Sequence, residues 1–303
     1  MNQIIEQYFK YWVAPVLFCS TYAIYALVRL NDTPFLISIG IALFALILML
    51  LCAEGIQKAR VVWKPNVSDW KLDGSFFLVI QGVDHLMTSL GAVLLLYLVG
   101  SDGLAIFYDF WPHHLSVPVQ CVLMVLVGSL GQYVQHRLFH EVPWLWRFHA
   151  THHSAMKMNL LMSFRIHPVD LASEFLFEIL PLFLLGINPE LIALYIILHA
   201  TTAFILHSNI ETRLGWMRYV FCENKAHRFH HSNVIKESNS NYGTVLVIWD
   251  LLLGSFYVPR TKDVTTLGLK YKEYPSQFLG MLMAPFQGKY YQKENKQKDF
   301  ARG

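Results

Sequence analysis

The chain has 303 residues, of which 54% are hydrophobic and only 15% are charged, and its formal net charge is +3. Soluble domains carry about a quarter charged residues, so this composition argues against an ordinary soluble protein and favours a membrane protein. The small positive charge does not indicate nucleic-acid binding. Four cysteines, far apart and without a Cys-x-x-Cys pair, predict buried free thiols and neither a disulfide framework nor a zinc site: Cys19, Cys52, Cys121 and Cys222.

Four long apolar stretches predict membrane-spanning helices. About 20 helical residues, at about 1.5 Å each, cross a hydrocarbon core of about 30 Å. The first stretch follows a weakly charged N-terminus without an evident cleavage site, which favours an uncleaved span over a signal peptide. The stretches are 11–28, 35–53, 74–100 and 115–135.

The placement of lysine and arginine predicts the orientation of these spans. The connection 54–73 holds four basic residues, the connection 101–114 holds none, and the chain after residue 135 is rich in them. Because cytoplasmic connections carry an excess of positive charge, we expect residues 54–73, both termini and everything after residue 135 to be cytoplasmic. Arg29, at the predicted outer end of the first span, fits this topology poorly.

A fifth apolar region, residues 171–206, is interrupted by the turn-forming sequence "GINPE" at 186–190. Each arm has roughly 15 residues, or about 23 Å of helix, which is short for a full crossing. Histidine-rich segments lie on both sides of this region, so the chain must return to the side it left if they form one site. We therefore predict an all-α membrane protein with four spanning helices, a re-entrant or in-plane helical hairpin, and a cytosolic helical cap.

Clustered histidines are the strongest functional signal. His136 and His140 are four residues apart and share a helix face. The spacing His-x-x-His-His occurs twice, at 149–153 and 227–231, and places three imidazoles within an arc of about 100° on a helix. Imidazole nitrogen binds iron and other first-row divalent metals well, so several such faces should converge around two metal ions. The candidate ligands are His136, His140, His149, His152, His153, His207, His227, His230 and His231.

The other histidines carry weaker signals. His113 and His114 are adjacent, so on a helix they would point about 100° apart, and they lie on the predicted far side of the membrane. We do not expect them to be ligands. His85 and His199 lie in apolar helices, where we expect buried, hydrogen-bonded side chains. Asp84, beside His85, is an intramembrane ionisable residue and therefore a weak functional candidate.

The residue His167, in "RIHP", leaves three interpretations open: a metal ligand, a hydrogen-bond donor to a ligand, or a turn residue before proline. Asn241 and Tyr242 follow the last histidine cluster and are candidates for orienting the ligands. An aromatic group near residue 146 would either guide a lipid at the membrane interface or only anchor the cap there. Its members are Trp144, Trp146 and Phe148.

The order of these motifs, with "RIHP", "LHSN" and the closing segment 241–259, resembles the fatty acid hydroxylase superfamily, which includes sterol desaturases and alkylglycerol monooxygenases. The similarity covers roughly residues 115–259, which we predict as the catalytic domain between an N-terminal transmembrane anchor, 1–114, and a C-terminal cytosolic tail, 260–303. The resemblance implies that the nine clustered histidines bind two iron ions. At one position the chain departs from some members, which carry a histidine where Ala203 stands, four residues before His207.

The resemblance further implies a membrane-bound, non-haem diiron oxygenase that uses O2 to hydroxylate or desaturate a lipid C–H bond. Such chemistry requires a metal, and the chain contains no flavin, haem or iron–sulfur motif, so a separate electron-donor protein is expected. Hydroxylation, desaturation and ether cleavage begin with the same hydrogen abstraction, and the lipid class also stays open. The alternative is a histidine-rich membrane metal transporter or metal-binding protein, which would place ligands mid-membrane and on both faces.

Overall fold

The computed structural model describes residues 3–99, 107–270 and 273–291, and it is predominantly helical. In these ranges the chain forms no β-strand, only two isolated bridges. The same ranges contain twelve α-helices: α1 Gln3–Arg29, α2 Phe35–Ile56, α3 Val67–Val99, α4 Val117–Glu141, α5 Pro143–His153, α6 Pro168–Glu174, α7 Leu180–Leu184, α8 Pro189–His207, α9 Asn224–His230, α10 Ile235–Ser238, α11 Ile248–Leu252 and α12 Phe278–Met283. A π-helical turn, Phe175–Ile179, joins α6 to α7. Short 3₁₀ helices occupy Val61–Trp63, Tyr108–Phe110, Leu160–Phe164, Gly215–Tyr219, Ala284–Phe286 and Gly288–Tyr290.

Four of the described helices, α1, α2, α4 and α8, are long and apolar enough to cross a membrane. Three of them confirm predicted helices, at 11–28, 35–53 and 115–135. The stretch 74–100 lies in α3, which is continuous to Val99, while its last position and residues 271–272 and 292–303 of the predicted C-terminal tail lie outside the described residues.

The fourth helix of this group corrects a prediction about length. Helix α8 begins at Pro189, inside the expected turn, and has 19 residues, about 28 Å of helix. Proline is favoured in a first helical turn, where its missing N–H has no partner to lose, so the residue taken as a helix breaker starts the helix instead. The arm of about 15 residues was therefore too short.

Helix α8 lies between the same two levels as α1 and α2. At one end, Arg29 of α1 forms a 2.6 Å ion pair with Glu190 in the first turn of α8, and the Tyr25 hydroxyl donates to the same carboxylate. At the other end, the Glu54 carboxylate of α2 accepts a hydrogen bond from the backbone N–H of Asn209. The chain from α6 to α7 thus runs away from the histidines, and α8 returns to them. Arg29 fits the topology predicted from the basic residues poorly, and its ion pair with Glu190 compensates its positive charge at this end of the bundle.

Apolar side chains cover the outer faces of the long helices. Leu46 and Leu50 of α2 are fully buried against α1, whereas Phe44 and Leu48 are 62% and 49% exposed. An exposed apolar face of this kind suits contact with lipid. All four cysteines are free, as predicted, but Cys19 and Cys52 are exposed on these faces. The expectation of burial was wrong for both, because an apolar sequence does not distinguish burial by protein from burial by lipid.

Two glycines allow α4 to approach the hairpin closely. A Cβ atom at Gly131 would lie 2.0 Å from the carbonyl oxygen of Phe177, and one at Gly128 would lie 2.5 Å from the Tyr195 ring. Separations below 3 Å are sterically forbidden, and a carbonyl in a packed helix has no rotamer to move to. Gly131 therefore sets how closely the π-helical turn packs against α4, and Gly128 sets how closely the Tyr195 ring of α8 packs there.

We expect Gly131→Ala to destabilise the protein by about 1–3 kcal/mol or more, because the added methyl group overpacks a backbone contact. Thermal unfolding of the detergent-solubilised protein measures the effect. Gly82→Ala is the matched control: its Cβ meets nothing within 4 Å, and alanine favours a helix over glycine by about 1 kcal/mol. Equal unfolding temperatures for the two variants would contradict the close approach of α4.

Candidate metal centre

The clustered histidines meet at one end of the helix bundle, where several helices end. His136 and His140 occupy the last turns of α4, which continues as a helix to Glu141. Val142 has an extended backbone (φ −92°, ψ 116°), and Pro143 begins α5 directly after it, so the chain turns back at once. The second and third clusters lie on α5 and α9, and His207 is the last residue of α8.

The nine histidines form two adjoining sets, and in each set the ring nitrogens nearest the centre lie within 4.8 Å of one another. None of the nine side chains is more than 6% exposed. The sets meet where the rings of His153 and His231 stack, with centroids 4.5 Å apart. We call them site A, with His136, His140, His149, His153 and His230, and site B, with His152, His207, His227 and His231.

Each His-x-x-His-His motif contributes to both sites, but the first gives most of its rings to site A and the second gives most to site B. On α5, His149 and His153 belong to site A and His152 belongs to site B. In the second motif the pair four residues apart belongs to site B, while His230 belongs to site A. One motif therefore supplies two ligand atoms to one site and one to the other, which explains why the spacing occurs twice.

The hydrogen bonds of the outer ring nitrogens determine what the inner nitrogens can do. The Nδ1 atom of His136 lies 2.7 Å from the Tyr242 carbonyl oxygen, and a carbonyl can only accept, so Nδ1 carries the proton. The Nε2 atom of this neutral ring then presents a lone pair. His149 is held in the same way, with Nδ1 2.7 Å from the Asp170 carboxylate. His207 and His230 contact the carbonyl oxygens of Ala203 and Ser240 at 2.7 and 2.8 Å.

The lone pairs of the inner nitrogens consequently point toward one another. The Nε2 atoms of His136 and His149 are 3.0 Å apart, and those of His149 and His153 are 3.1 Å apart. Two lone pairs at this distance repel, whereas a cation placed among them would be bound by all. The donor set fits a pair of metal ions.

Burial keeps the site neutral. Five histidines that lie outside the long apolar helices have a pKa well below the usual value near 6.5, because burial and the neighbouring imidazoles disfavour the charged ring. These five rings are therefore unprotonated at neutral pH. Metal ligation requires the unprotonated ring, which this environment provides without competition from protons. The five are His152, His153, His227, His230 and His231.

Asp170 and Gln135, two polar residues that the sequence did not reveal, support site A. Asp170, in the first turn of α6, accepts from His149 and also from the Gln135 side-chain amide at 2.9 Å. A carboxylate behind a ligand fixes the orientation of the ring and raises its basicity. Asp170 follows His167 by three residues in "HPVD", but no spacing rule connects it with a histidine 21 residues earlier.

Of the two residues predicted to orient ligands, Tyr242 contacts a histidine through its backbone carbonyl, and Asn241 contacts only backbone carbonyls. The Tyr242 carbonyl accepts from His136, as described above. The Asn241 side-chain amide donates to the carbonyl oxygens of Ala226 and Tyr257, and Asn241 has a positive φ of 54°. It therefore holds the segment that carries Tyr242 against α9, and it is not itself in contact with a site A ring.

The structure separates the remaining histidines from the two sites. His167 caps α6: its Nδ1 accepts from the backbone N–H of Val169, and its Nε2 lies 3.2 Å from the Leu282 carbonyl, so the turn-residue interpretation describes it. His113 stacks on Tyr108 at the opposite end of the bundle. His85 is exposed, contrary to expectation, because the face of α3 that carries it has few protein neighbours.

The aromatic group near α5 does not lie together on a surface. Trp144 is 60% exposed, whereas Trp146 and Phe148 are 8% and 3% exposed. The Trp146 ring packs against His140 and His153, with centroids 5.1 and 5.4 Å apart. An interfacial position is therefore open to Trp144, while Trp146 forms part of the wall of site A.

A model of the fatty acid hydroxylase family matches residues 121–255, which contain all nine histidines. The ornithine lipid hydroxylase OlsE of Rhizobium tropici is 34% identical over 240 residues, covering 74% of this chain and 70% of that protein. This chain belongs to the fatty acid hydroxylase superfamily. Human alkylglycerol monooxygenase is 31% identical over 136 residues, covering 45% of this chain and 30% of that protein. Human cholesterol 25-hydroxylase is 26% identical over 140 residues, 43% of this chain and 48% of that protein.

No solved structure matches this member of the superfamily. Its relatives are named hydroxylases and monooxygenases, so the chain is an oxidoreductase, and its four long apolar helices make it an integral membrane protein. The metal-transporter alternative is not favoured, because the two histidine sites share one end of the bundle.

Proposed function

We propose that this superfamily member is a membrane-bound, non-haem diiron oxygenase that uses O2 to hydroxylate a lipid C–H bond. The observation that carries the proposal is the convergence of nine buried imidazoles in two adjoining sets, with lone pairs facing inward. Imidazole sites of this kind suit iron, and two adjoining ions suit the two-electron reduction of O2.

In this proposal, site A and site B each hold one iron ion. The iron pair would supply the activation of O2 and the oxidation of an unactivated C–H bond, which no side chain can perform. The protein contributes orientation, through Asp170 on His149 and the Tyr242 carbonyl on His136. It also excludes water, since no ring of the nine is more than 6% exposed.

The substrate is proposed to be a membrane lipid. All three relatives described above carry a lipid in their printed names: ornithine lipid, alkylglycerol and cholesterol. The exposed apolar faces of α1 and α2 support a position in the bilayer, where such lipids reside. The hairpin 168–207 is proposed to enter the membrane from the histidine end of the bundle and to return to that end, with α8 long enough to span the bilayer. The cap and both termini are proposed to face the cytoplasm, where a separate protein would deliver the electrons.

Comparative lipid mass spectrometry of cells with and without this chain tests the proposal. We expect a lipid product heavier by one oxygen in cells that contain the wild-type chain, and no such product with His230→Ala, which removes a site A ring. A product lighter by two hydrogens would assign desaturation, and an aldehyde with an alcohol would assign ether cleavage. Identical lipid profiles, despite folded and iron-loaded protein, would refute lipid oxidation.

A further inference from the structure

A third group of side chains that can bind a metal lies inside the helix bundle, away from the nine histidines. Glu174 and Glu178 stand four residues apart on the arm that leaves α6, and His199 faces them from α8. One ligand atom from each lies within 4.8 Å of the others, a limit that sites A and B also meet. We propose that Glu174, Glu178 and His199 bind a third divalent metal ion.

This cluster is distinct from the proposed iron sites. His199 precedes His207 by eight residues on α8, so it lies about 12 Å along the helix axis from the nearest site B ring. Its depth is that of the middle of α8, one of the helices long and apolar enough to cross a membrane. Ionisable side chains at such depth are costly, and they are retained where they perform a specific task.

The contacts within the cluster hold its members rigidly. His199 Nδ1 lies 2.6 Å from Glu178 Oε1, and His199 Nε2 lies 3.3 Å from Glu174 Oε1. The hydroxyl of Tyr195, one turn before His199 on α8, donates to Glu178 Oε1 at 2.6 Å. The hydroxyl thus orients the glutamate from behind, as the residues around a metal ligand commonly do.

Charge and hydrogen bonding are both incomplete without a cation. The Glu178 side chain is 1% exposed, and its Oε2 atom has no hydrogen-bond partner. An imidazolium at His199 can offset only one negative charge, so the two carboxylates cannot both be ionised without a further cation. A buried unpaired charge and an unsatisfied buried oxygen each cost free energy. A divalent ion would neutralise the pair and engage the free oxygen.

The ligand types select the class of metal. Two carboxylates with one imidazole suit zinc, manganese or ferrous iron, whereas magnesium and calcium prefer oxygen ligands alone. The π-helical turn that carries Glu178 packs closely against α4 at Gly131. A Cβ atom at that position would collide with the backbone of the turn. The ion would link the end of α6 and the π-helical turn to α8. Its role would be to hold the two arms of the hairpin together.

Metal content of the purified full-length protein tests this inference. After loading with Zn²⁺ alone in detergent and removal of unbound ions, elemental analysis should give three ions per chain for the wild type and two for His199→Asn or Glu174→Gln. The latter change is mild, because glutamine keeps the size of the glutamate side chain and removes only its negative charge. Glu141→Gln, at an exposed ion pair on α4, is the matched control and should retain three.

The outcome does not depend on lipid oxidation. A His152→Ala variant should lose one ion from site B and still lose a further ion when Glu174→Gln is added. Two ions in the wild type, with no change on Glu174→Gln, would overturn the third site and leave His199 as an imidazolium between two carboxylates. Glu178, whose side chain is 1% exposed, stays unchanged in these proteins, because the Glu174 and His199 variants decide the question without disturbing it.

Discussion

His152→Ala should leave the chain folded and inserted in the membrane, lower its metal content by one ion per chain, and abolish product formation. His152 Nε2 lies 3.0 Å from His207 Nε2, and its ring centroid lies 4.7 Å from that of His231. Site B has only four imidazoles, so one removal takes a quarter of its ligand atoms. Changes behind a metal ligand already cost about 10–100-fold in metal affinity or activity, so loss of the ligand itself should cost more.

The matched control for this variant is His113→Ala. The chemical change is identical, but the His113 ring stacks on Tyr108 with centroids 3.8 Å apart, at the end of the bundle remote from the metal centre. We expect unchanged metal content and unchanged activity there. Metal analysis and lipid mass spectrometry on the same preparations measure both effects. Full activity of His152→Ala would show that site B, as assigned, takes no part in the reaction.

The sequence predicted the members of the two sites better than their division between them. Regular spacing revealed eight of the nine rings, because residues three or four apart share a helix face, whereas His207 was proposed from the motif "LHSN". The partition depends instead on the angles between α4, α5 and α9, which no local pattern encodes. The ring of His152 points to site B although its neighbour His153 points to site A, and only the packed helices show this.

Long-range contacts and lipid exposure account for what the sequence did not predict. Asp170 reaches His149 across 21 residues, because α6 packs against the end of α4. The burial of Cys19 and His85 was misjudged because each lies on a helix face that the rest of the protein does not cover, and an apolar sequence does not reveal this. The length of α8 was underestimated because the proline that begins it was read as part of a turn.

Asp170→Asn should weaken metal binding at site A by about 10–100-fold while leaving the fold intact. The asparagine side chain has nearly the same shape, and its oxygen can still accept one hydrogen bond. It cannot provide the negative charge that now lies 2.7 Å from His149 Nδ1, nor accept from both His149 and Gln135 in the present arrangement. The ring then becomes a poorer donor to the metal and is held less firmly.

Competition with a chelator measures this change. Asp170→Asn should release one ion per chain at a chelator concentration that the wild type withstands, and Asp109→Asn, a charge removal at an exposed residue, should not. Combining Asp170→Asn with His152→Ala locates the effect: if the carboxylate acts at site A, the double variant loses the ions of both sites. If each single variant releases one ion and the double variant releases no more, Asp170 supports site B and not site A.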